Sequence, residues 1–351
     1  MLRAAGSMSL AEQVLGAHSP AQRRGIAKAI TLLESARADH RAQADEMLTR
    51  LLPQTGRSFR LAISGVPGVG KSTFIEALGL YLIGEGHRVA VLTIDPSSSV
   101  SGGSILGDKT RMEKLSAHEQ AYIRPSPSGG TLGGVAEKTR EAMLVCEAAG
   151  YDTVIVETVG IGQSETAAAG MTDMFVLLQL PNAGDELQAI KRGVMELADL
   201  VVVNKADLDV DAATRARAQI TSALRIFGQH GHPGHAQHDK SVWHPQVLQL
   251  SAARGEGIAQ FWSTVTQFRE LQQAGGQFAA RRRQQTLGWM WERIDAGLKR
   301  DFRQHPQVRQ MLPDLLKQVA DGRLPASTAA RRLLQAWHGD QNDEAGAQSP
   351  L

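Results

Sequence analysis

One segment has the spacing G-x-x-x-x-G-K-[ST] of a loop that surrounds phosphates: Gly65, Val66, Pro67, Gly68, Val69, Gly70, Lys71 and Ser72, with Thr73 next. Its glycines let backbone N–H groups turn towards phosphate oxygens, helped by the N-terminus of the helix that follows. Lys71 would reach the β- and γ-phosphates, and the Ser72 hydroxyl would ligate Mg²⁺. The segment lies between a predicted strand and a predicted helix, as this pattern requires. It predicts a site for a nucleoside triphosphate.

A second set of residues indicates which base this site accepts. Asn204-Lys205-Ala206-Asp207 follows the apolar run DLVVV, and the Asp207 carboxylate can accept both the ring N–H and the exocyclic amine of guanine. Adenine has no matching pair of donors, so it would leave this carboxylate unpaired. Asn204 and the stem of Lys205 would hold the loop and cover the ring, and Ser251-Ala252 could offer a backbone N–H to the guanine O6 atom. These residues predict GTP or GDP as the ligand.

Acidic residues at other strand ends could bind the metal or position water. Glu157 ends the run TVIVE, and Gly160 follows at the point where many nucleotide hydrolases have a glycine that senses the γ-phosphate. Glutamate is one methylene longer than the usual aspartate, so a role through water is as reasonable as direct ligation. Asp95 and Asp108 belong to a Ser/Gly-rich segment that we expect Mg²⁺ and the γ-phosphate to order. We therefore predict Lys71, Asp95, Asp108 and Glu157 as catalytic residues, with Ser72 and the three acids around the metal.

The same segments bear on the rate of hydrolysis. Lys109 and Arg111 could neutralise phosphate charge from within the chain, although both also fit a solvated loop. The residue after Gly160 is Ile161, where small signalling GTPases have the glutamine that orients water, and Gln163 is displaced from that position. This predicts slow intrinsic hydrolysis that a partner accelerates.

Short apolar runs that alternate with helical segments must position these residues. The runs are FRLAIS (59–64), RVAVLTID (88–95), TVIVET (153–158), MFVLLQL (174–180), DLVVVN (199–204) and VLQLS (247–251). Most lack clean alternation, as strands buried on both faces of a parallel sheet do. They predict an α/β fold with a doubly wound, mostly parallel sheet that binds ligands at the carboxyl ends of its strands.

Helical segments flank this predicted P-loop GTPase domain, which we assign to residues 56–268. Residues 1–55 form a predicted helical extension, in which Ser19-Pro20 caps a helix. Residues 269–340 form a C-terminal helical arm, whose last helix we expect to end near Gly339. The polar residues 341–351 are expected to be a disordered tail.

Composition excludes several classes of protein. Lys plus Arg number 38 and Asp plus Glu 36, so the formal net charge of +2 argues against a general nucleic-acid binder. A single cysteine allows neither an internal disulfide nor a cysteine-only metal site. No apolar run approaches the ~20 residues that span a bilayer, and the first residues do not resemble a signal peptide. We expect a soluble cytoplasmic protein with no membrane partner.

Several longer blocks together resemble one family. They are GVPGVGKST, IDPSSSVSGGSILGDKTRM, ETVGIGQSE, LPNAGDELQAIKRGVMELAD and NKADL, and the resemblance spans roughly residues 20 to 340. The family is that of the methylmalonyl-CoA mutase-associated GTPase chaperones, whose bacterial members were formerly labelled arginine/ornithine transport ATPases. It lies in the metal- and cofactor-chaperone branch of the GTPases.

The resemblance implies a specific activity and specific partners. It implies a GTPase that binds an adenosylcobalamin-dependent acyl-CoA mutase, gates delivery of cobalamin from an adenosyltransferase, and dimerises through its C-terminal arm. It also implies that Asp185, Glu186 and Lys191 lie in a loop that relays the nucleotide state to the mutase. The residues of this loop, taken alone, favour helix capping by the acidic pair.

Three features leave other interpretations open. The run QHGHPGHAQHDKSVWH holds His230, His232, His235, His238 and His244, five of 11 histidines. This run departs from the pattern of the family that the chain resembles. It supports the alternative of a GTPase that delivers Ni²⁺ or Zn²⁺ through loop 230–244, although a polar surface loop is the simpler interpretation. We expect Cys146, on an apolar helical segment, in the core.

The basic run Arg281–Arg283 supports a third interpretation, besides the mutase chaperone and the metal-delivering GTPase. It is a scaffold that docks an acidic partner through these arginines, which also fit a solvated helix face.

Overall fold

A computed structural model of the chain describes residues 8–35, 37–94, 112–125, 132–158, 164–181, 192–228 and 242–346. The chain divides into two compact units, Met1–Arg282 and Arg283–Leu351. The first unit contains one sheet of seven strands: β1 (Phe59–Gly65), β2 (Val89–Ile94), β3 (Ala121–Arg124), β4 (Thr153–Thr158), β5 (Met174–Gln179), β6 (Leu200–Val203) and β7 (Gln246–Gln249).

The sheet is parallel throughout its described pairs and has the order β3-β2-β4-β1-β5-β6-β7. Strand β1, which leads into the phosphate loop, lies between β4 and β5, with Ile63 opposite Glu157 and Gly65 opposite Leu178. The predicted α/β fold with a parallel, doubly wound sheet is confirmed. Strand β3 at the sheet edge was not predicted. Its four residues AYIR are too few to be recognised as an apolar run.

Helices cover both faces of the sheet in the first unit. One face packs against α1 (Leu10–Leu15), α2 (Pro20–Glu34), α3 (Ala38–Leu51), α6 (Leu132–Ala148), α7 (Ser164–Ala169), α8 (Arg192–Leu197) and α9 (Val210–Gly228). The other face packs against α4 (Lys71–Gly84), α5 (Glu113–Ala117) and α10 (Ile258–Ala274). Alternate residues of β1 enter the two cores, since Ala62 belongs to the first and Leu61 and Ile63 to the second. Cys146 is fully buried in the first core, and burial raises the pKa of its thiol.

The N-terminal helices are part of the first unit. Ser19 caps α2 by accepting a hydrogen bond from the Gln22 backbone N–H, and Pro20 follows at the first helical position, as predicted. The buried Gln22 side chain donates to the carbonyls of Val14 (2.9 Å) and Ala149 (3.0 Å). Val14 belongs to α1, and Ala149 directly follows α6. A buried amide that is satisfied in this way specifies how α1 and α2 pack against α6.

Helix α11 (Gln277–Gln304) begins in the first unit, where two arginines bind the amino ends of neighbouring strands. Arg282 donates to both carboxylate oxygens of Asp173 at 2.7 and 2.6 Å, and to the carbonyls of Gly56 and Ser58. Arg281 binds Asp199 at 3.3 Å. Burial raises the pKa of Asp199, and Arg281 offsets part of this shift. The predicted solvated basic face is therefore wrong for Arg281 and Arg282, because Arg282 pairs with the buried Asp173 and Arg281 with the half-buried Asp199.

The second unit contains the rest of α11 with α12 (Pro306–Ala320) and α13 (Ala326–Gly346). Its core consists of Val308, Leu315, Ala329 and Leu333. Helix α13 continues past Gly339, where we expected it to end, and reaches Gly346. The sequence did not predict this extension because the residues after Gly339 are polar and have no apolar period. Throughout the described ranges, each helix is too short or too polar to cross a bilayer.

Candidate nucleotide site

The phosphate loop connects β1 to α4 and depends on two glycines. Gly65 has φ 154° and Gly70 has φ 95°. A Cβ atom on Gly65 would lie 2.6 Å from the Leu178 carbonyl oxygen, and one on Gly70 would lie 2.7 Å from Nδ2 of Asn204. Only glycine fits at these two positions, because both the backbone conformation and the close neighbours exclude a side chain. The loop is thus shaped by its contacts with β5 and with the residue after β6.

Lys71, Ser72 and Glu157 come together at the end of this loop. The Lys71 Nζ atom donates to the carbonyl oxygens of Gly65 at 2.7 Å and Val66 at 3.2 Å, so its ammonium group is held inside the loop. The Ser72 hydroxyl donates to Oε1 of Glu157 at 3.4 Å. Glu157 is 4% exposed and lies on β4, between β1 and β2. A hydroxyl and a carboxylate oxygen are ligands that Mg²⁺ prefers, so the donor set fits this metal.

Asn204 connects the phosphate loop to the loops that would bind the base. Its Nδ2 atom donates to the Val69 carbonyl oxygen at 2.8 Å, and its Oδ1 atom accepts the Ala252 backbone N–H at 3.0 Å. Asn204 is 1% exposed, so both hydrogen bonds are shielded from water and are costly to leave unmade. Because it follows β6, this residue joins the ends of β1, β6 and β7.

The side chain of Lys205 also connects the residues after β6 to the phosphate loop, and its backbone conformation is strained. It has φ 60°, and it is the non-glycine residue with positive φ among those that the structure describes. Its Nζ atom donates to the Gly68 carbonyl oxygen at 2.8 Å, which extends the aliphatic stem of Lys205 from the base loop to the phosphate loop. Such strain is kept where the surroundings over-determine a conformation, often at a functional site.

Asp207 is held as an ionised carboxylate. The Ser251 hydroxyl donates to it, and this hydrogen bond, assisted by the charge of Arg254, lowers the pKa of Asp207. Nε of Arg254 lies 3.3 Å from Oδ2 of Asp207. The Arg254 backbone N–H in turn donates to the Ser251 hydroxyl at 3.4 Å. An ionised carboxylate is an acceptor only, as recognition of the two guanine donors requires.

Other predicted residues lie outside the part of the chain that the structure describes. These are Asp95, Asp108, Lys109, Arg111, Gly160, Ile161, Gln163, Asp185, Glu186, Lys191, His230, His232, His235 and His238. Pro67 and Thr73 lie in the phosphate loop and the first turn of α4. Across the described residues there is no group of three or more His, Cys, Asp or Glu side chains that could hold a metal ion.

The structure therefore brings together the phosphate loop, Glu157, Asn204, Lys205, Asp207, Ser251 and Ala252. Sequence reasoning missed the contribution of Arg254, and it missed that Thr158 Oγ1 donates to Ser64 Oγ at 2.9 Å between β4 and β1. The only signal for Arg254 was a cation two residues after Ser251-Ala252, which has no spacing rule of its own. For the Ser64 contact the signal was a pair of hydroxyl residues near two strand ends.

Comparison with known proteins supplies independent information. The family model described as "Methylmalonyl Co-A mutase-associated GTPase MeaB" matches residues 26–307. A protein of Caulobacter vibrioides is 53% identical over 315 residues, which are 90% of this chain and 94% of that protein. The mitochondrial methylmalonic aciduria type A homolog of Mus musculus is 46% identical over 327 residues, which are 90% of this chain and 77% of that one.

A solved structure gives the same picture for the fold. The crystal structure of an LAO/AO transport system kinase matches with a TM-score of 0.71 and 35% sequence identity. The match covers 95% of this chain and 99% of that chain.

Proposed function

This chain belongs to the methylmalonyl-CoA mutase-associated GTPase family, and we propose that it hydrolyses GTP as the chaperone of an adenosylcobalamin-dependent acyl-CoA mutase. Methylmalonyl-CoA mutase is the first candidate, in keeping with the names of the family and of the mouse relative. In this proposal the protein acts in the cytoplasm, gates the loading of cobalamin from an adenosyltransferase, and helps to protect and reactivate the mutase. The observation that carries the nucleotide assignment is the link that Asn204 makes between the phosphate loop and the base loops.

In this proposal Asp207 reads the base. Its carboxylate accepts the ring N–H and the exocyclic amine of guanine, while the Ala252 region offers backbone N–H to the O6 atom. Ser251 supports this role because its hydroxyl keeps Asp207 ionised and oriented. The stem of Lys205, held at Gly68, covers one face of the ring.

The phosphate loop and Lys71 bind the triphosphate in this proposal. Lys71 would exchange the carbonyl oxygens of Gly65 and Val66 for phosphate oxygens, and the helix N-terminus adds positive potential. Ser72 and Glu157 would hold Mg²⁺, which when bound neutralises phosphate charge. We propose Asp95, Asp108 and Gly160 as the residues of the switch segments, with Asp185, Glu186 and Lys191 relaying the nucleotide state to the mutase.

The test of the function is GTP hydrolysis with and without a purified adenosylcobalamin-dependent acyl-CoA mutase. The isolated protein is expected to turn over slowly, and the mutase is expected to raise the rate by about tenfold or more, which corresponds to ~1.4 kcal/mol of barrier. ATP in place of GTP should give no stimulated turnover. The Lys71→Ala variant serves as the control that the measured phosphate comes from this chain. A rate for GTP that no mutase changes would contradict the chaperone role.

We also propose that the protein is a homodimer that associates through its C-terminal arm, residues 269–340. Helix α11 exposes Leu287, Met290, Trp291, Ile294 and Leu298, each at least 40% exposed and spaced along one side of the helix. A stripe of large apolar side chains of this kind requires a second surface to cover it. A second copy of the arm offers a self-complementary surface of this type.

Trp291→Asp is expected to raise the dimer dissociation constant by about 100-fold or more, because an aromatic anchor of an interface contributes ~2 kcal/mol or more and a buried carboxylate adds a penalty. Light scattering over a concentration series measures this change. Ala296→Asp adds the same charge to the opposite side of α11 and is the matched control, expected to remain dimeric. A wild-type protein that is monomeric at high concentration would contradict the dimer.

A further inference from the structure

A cleft at the edge of the sheet lies apart from the nucleotide site. It has a volume of about 430 Å³ and is lined by residues of α2 and of the end of β3: Pro20, Arg23, Arg24, Ala27, Tyr122, Ile123, Arg124 and Pro125. Strand β3 is the edge strand and is separated from β1 by β2 and β4. Three strand spacings correspond to ~14 Å, so the cleft and the phosphate loop are different places on the same sheet. The volume is within the range of small-molecule sites.

Three arginines give the cleft a positive charge that is only partly balanced. Arg124 forms a bidentate pair with Glu34, through Nε at 3.2 Å and through Nη2. Within the described part of the chain, Arg23 donates to two carbonyl oxygens, those of His118 and Ser116, at the long distances of 3.4 and 3.5 Å. Arg24 is exposed and has no hydrogen-bond or ion-pair partner among the described residues. Among the described residues, these three guanidinium groups have one carboxylate partner, that of Glu34, and it pairs with Arg124.

The remaining walls of the cleft are apolar. Pro20 and Ala27 come from α2, while Ile123 and Pro125 come from the strand end. Tyr122 is 5% exposed, so its ring forms a fixed part of the wall. A ligand that fills this space must carry an apolar part next to a group that two guanidinium groups can bind.

We propose that this cleft binds the phosphate group of a small organic phosphate. A carboxylate has two oxygens and can be bound by a single arginine, as Glu34 is bound by Arg124. Arg23 and Arg24 together offer more donors, which suit a tetrahedral anion with several oxygens. The apolar wall then packs against the organic part of the ligand. This site is independent of the GTPase and mutase assignments, since none of its residues belongs to the nucleotide site.

The test uses the full chain saturated with GDP and Mg²⁺, so that the phosphate loop is filled. Isothermal titration with phenyl phosphate is expected to give one site per chain, and inorganic phosphate is expected to bind at least about tenfold more weakly. Equal binding of the two anions would overturn the organic part of the proposal. Absence of any binding of phenyl phosphate would overturn the site itself.

Matched variants separate the cleft from general surface charge. Arg23→Ala/Arg24→Ala is expected to weaken phenyl phosphate binding by about tenfold or more, since it removes both guanidinium groups that bind the phosphate oxygens. Lys28→Ala/Arg50→Ala removes the same charge from exposed positions of α2 and α3 outside the cleft, and it should bind as the wild type does. An equal loss in both double variants would overturn the proposal. Arg24→Ala alone, which removes a side chain without described partners, repeats the test with the least effect on folding.

Discussion

Asp207→Asn is expected to weaken binding of GDP by about 10³-fold or more and to create binding of xanthosine diphosphate. The carboxylate of Asp207 accepts two guanine donors, whereas an asparagine has one acceptor oxygen and one donor NH₂. The exocyclic amine of guanine would then face a donor and lose its partner. Xanthine has a carbonyl at that position and would match the asparagine. Sites that are built on hydrogen bonds to a ligand discriminate by ~10⁴–10⁵ when the pairing is lost.

Equilibrium binding of both diphosphates to the two proteins measures this exchange of specificity. The control is Asp209→Asn, which makes the same chemical change two residues further on. Asp209 caps α9 by accepting the Ala212 backbone N–H at 2.8 Å, and asparagine caps a helix equally well. The control should bind GDP as the wild type does. If Asp207→Asn kept its preference for guanine, Asp207 would not be the residue that reads the base.

Arg282→Ala is expected to lower the free energy of unfolding by about 3–5 kcal/mol, because it removes the partner that binds the buried Asp173 carboxylate through two hydrogen bonds. The Asp173 side chain is 1% exposed and that of Arg282 is 14% exposed. The same substitution removes the hydrogen bonds that Arg282 donates to the carbonyls of Gly56, which is exposed, and of Ser58, which is buried. Asp173 still accepts the hydrogen bond from the Arg60 backbone N–H at 2.8 Å and still interacts with the charge of the Arg60 side chain.

Urea unfolding followed by circular dichroism measures this loss of stability. Arg283→Ala is the matched control, since Arg283 is exposed, and its effect should lie within ~0.5 kcal/mol of zero. The double variant Arg282→Ala/Asp173→Asn should recover part of the loss, because the buried charge is removed together with its partner. If Arg282→Ala were as stable as Arg283→Ala, the ion pair would make no net contribution to the first unit.

The sequence was sufficient for those parts of the fold that depend on local spacing. Six apolar runs predicted six strands in their order, and the glycine-rich segment after the first run predicted the phosphate loop. The edge strand β3 was missed, because AYIR is too short for a pattern and is paired on one side only. Ala121 and Ile123 are buried in one core and Tyr122 in the other, so this strand is buried on both faces and only its length was too small for a pattern to reveal it.

The contacts that complete the site could not be predicted, because they join residues far apart in the chain. Asn204 and Val69 are 135 residues apart, and Arg282 and Asp173 are 109 residues apart. Spacing predicted that Asn204 would hold a loop but not which carbonyl it binds. For Arg282 the local pattern suggested a solvated helix face, since nothing in a run of three arginines indicates that carboxylates before β5 and β6 will face two of them.

The two hydrogen bonds of Asn204 have a consequence for the size of the ligand. A single amide fixes the separation between Val69, in the phosphate loop, and Ala252, in the base loop. The protein therefore sets the length of the molecule that can bind both loops at once, and a molecule of a different length does not fit. A guanine ring on a shorter or longer connection to its phosphates would reach one loop and fall short of, or overshoot, the other.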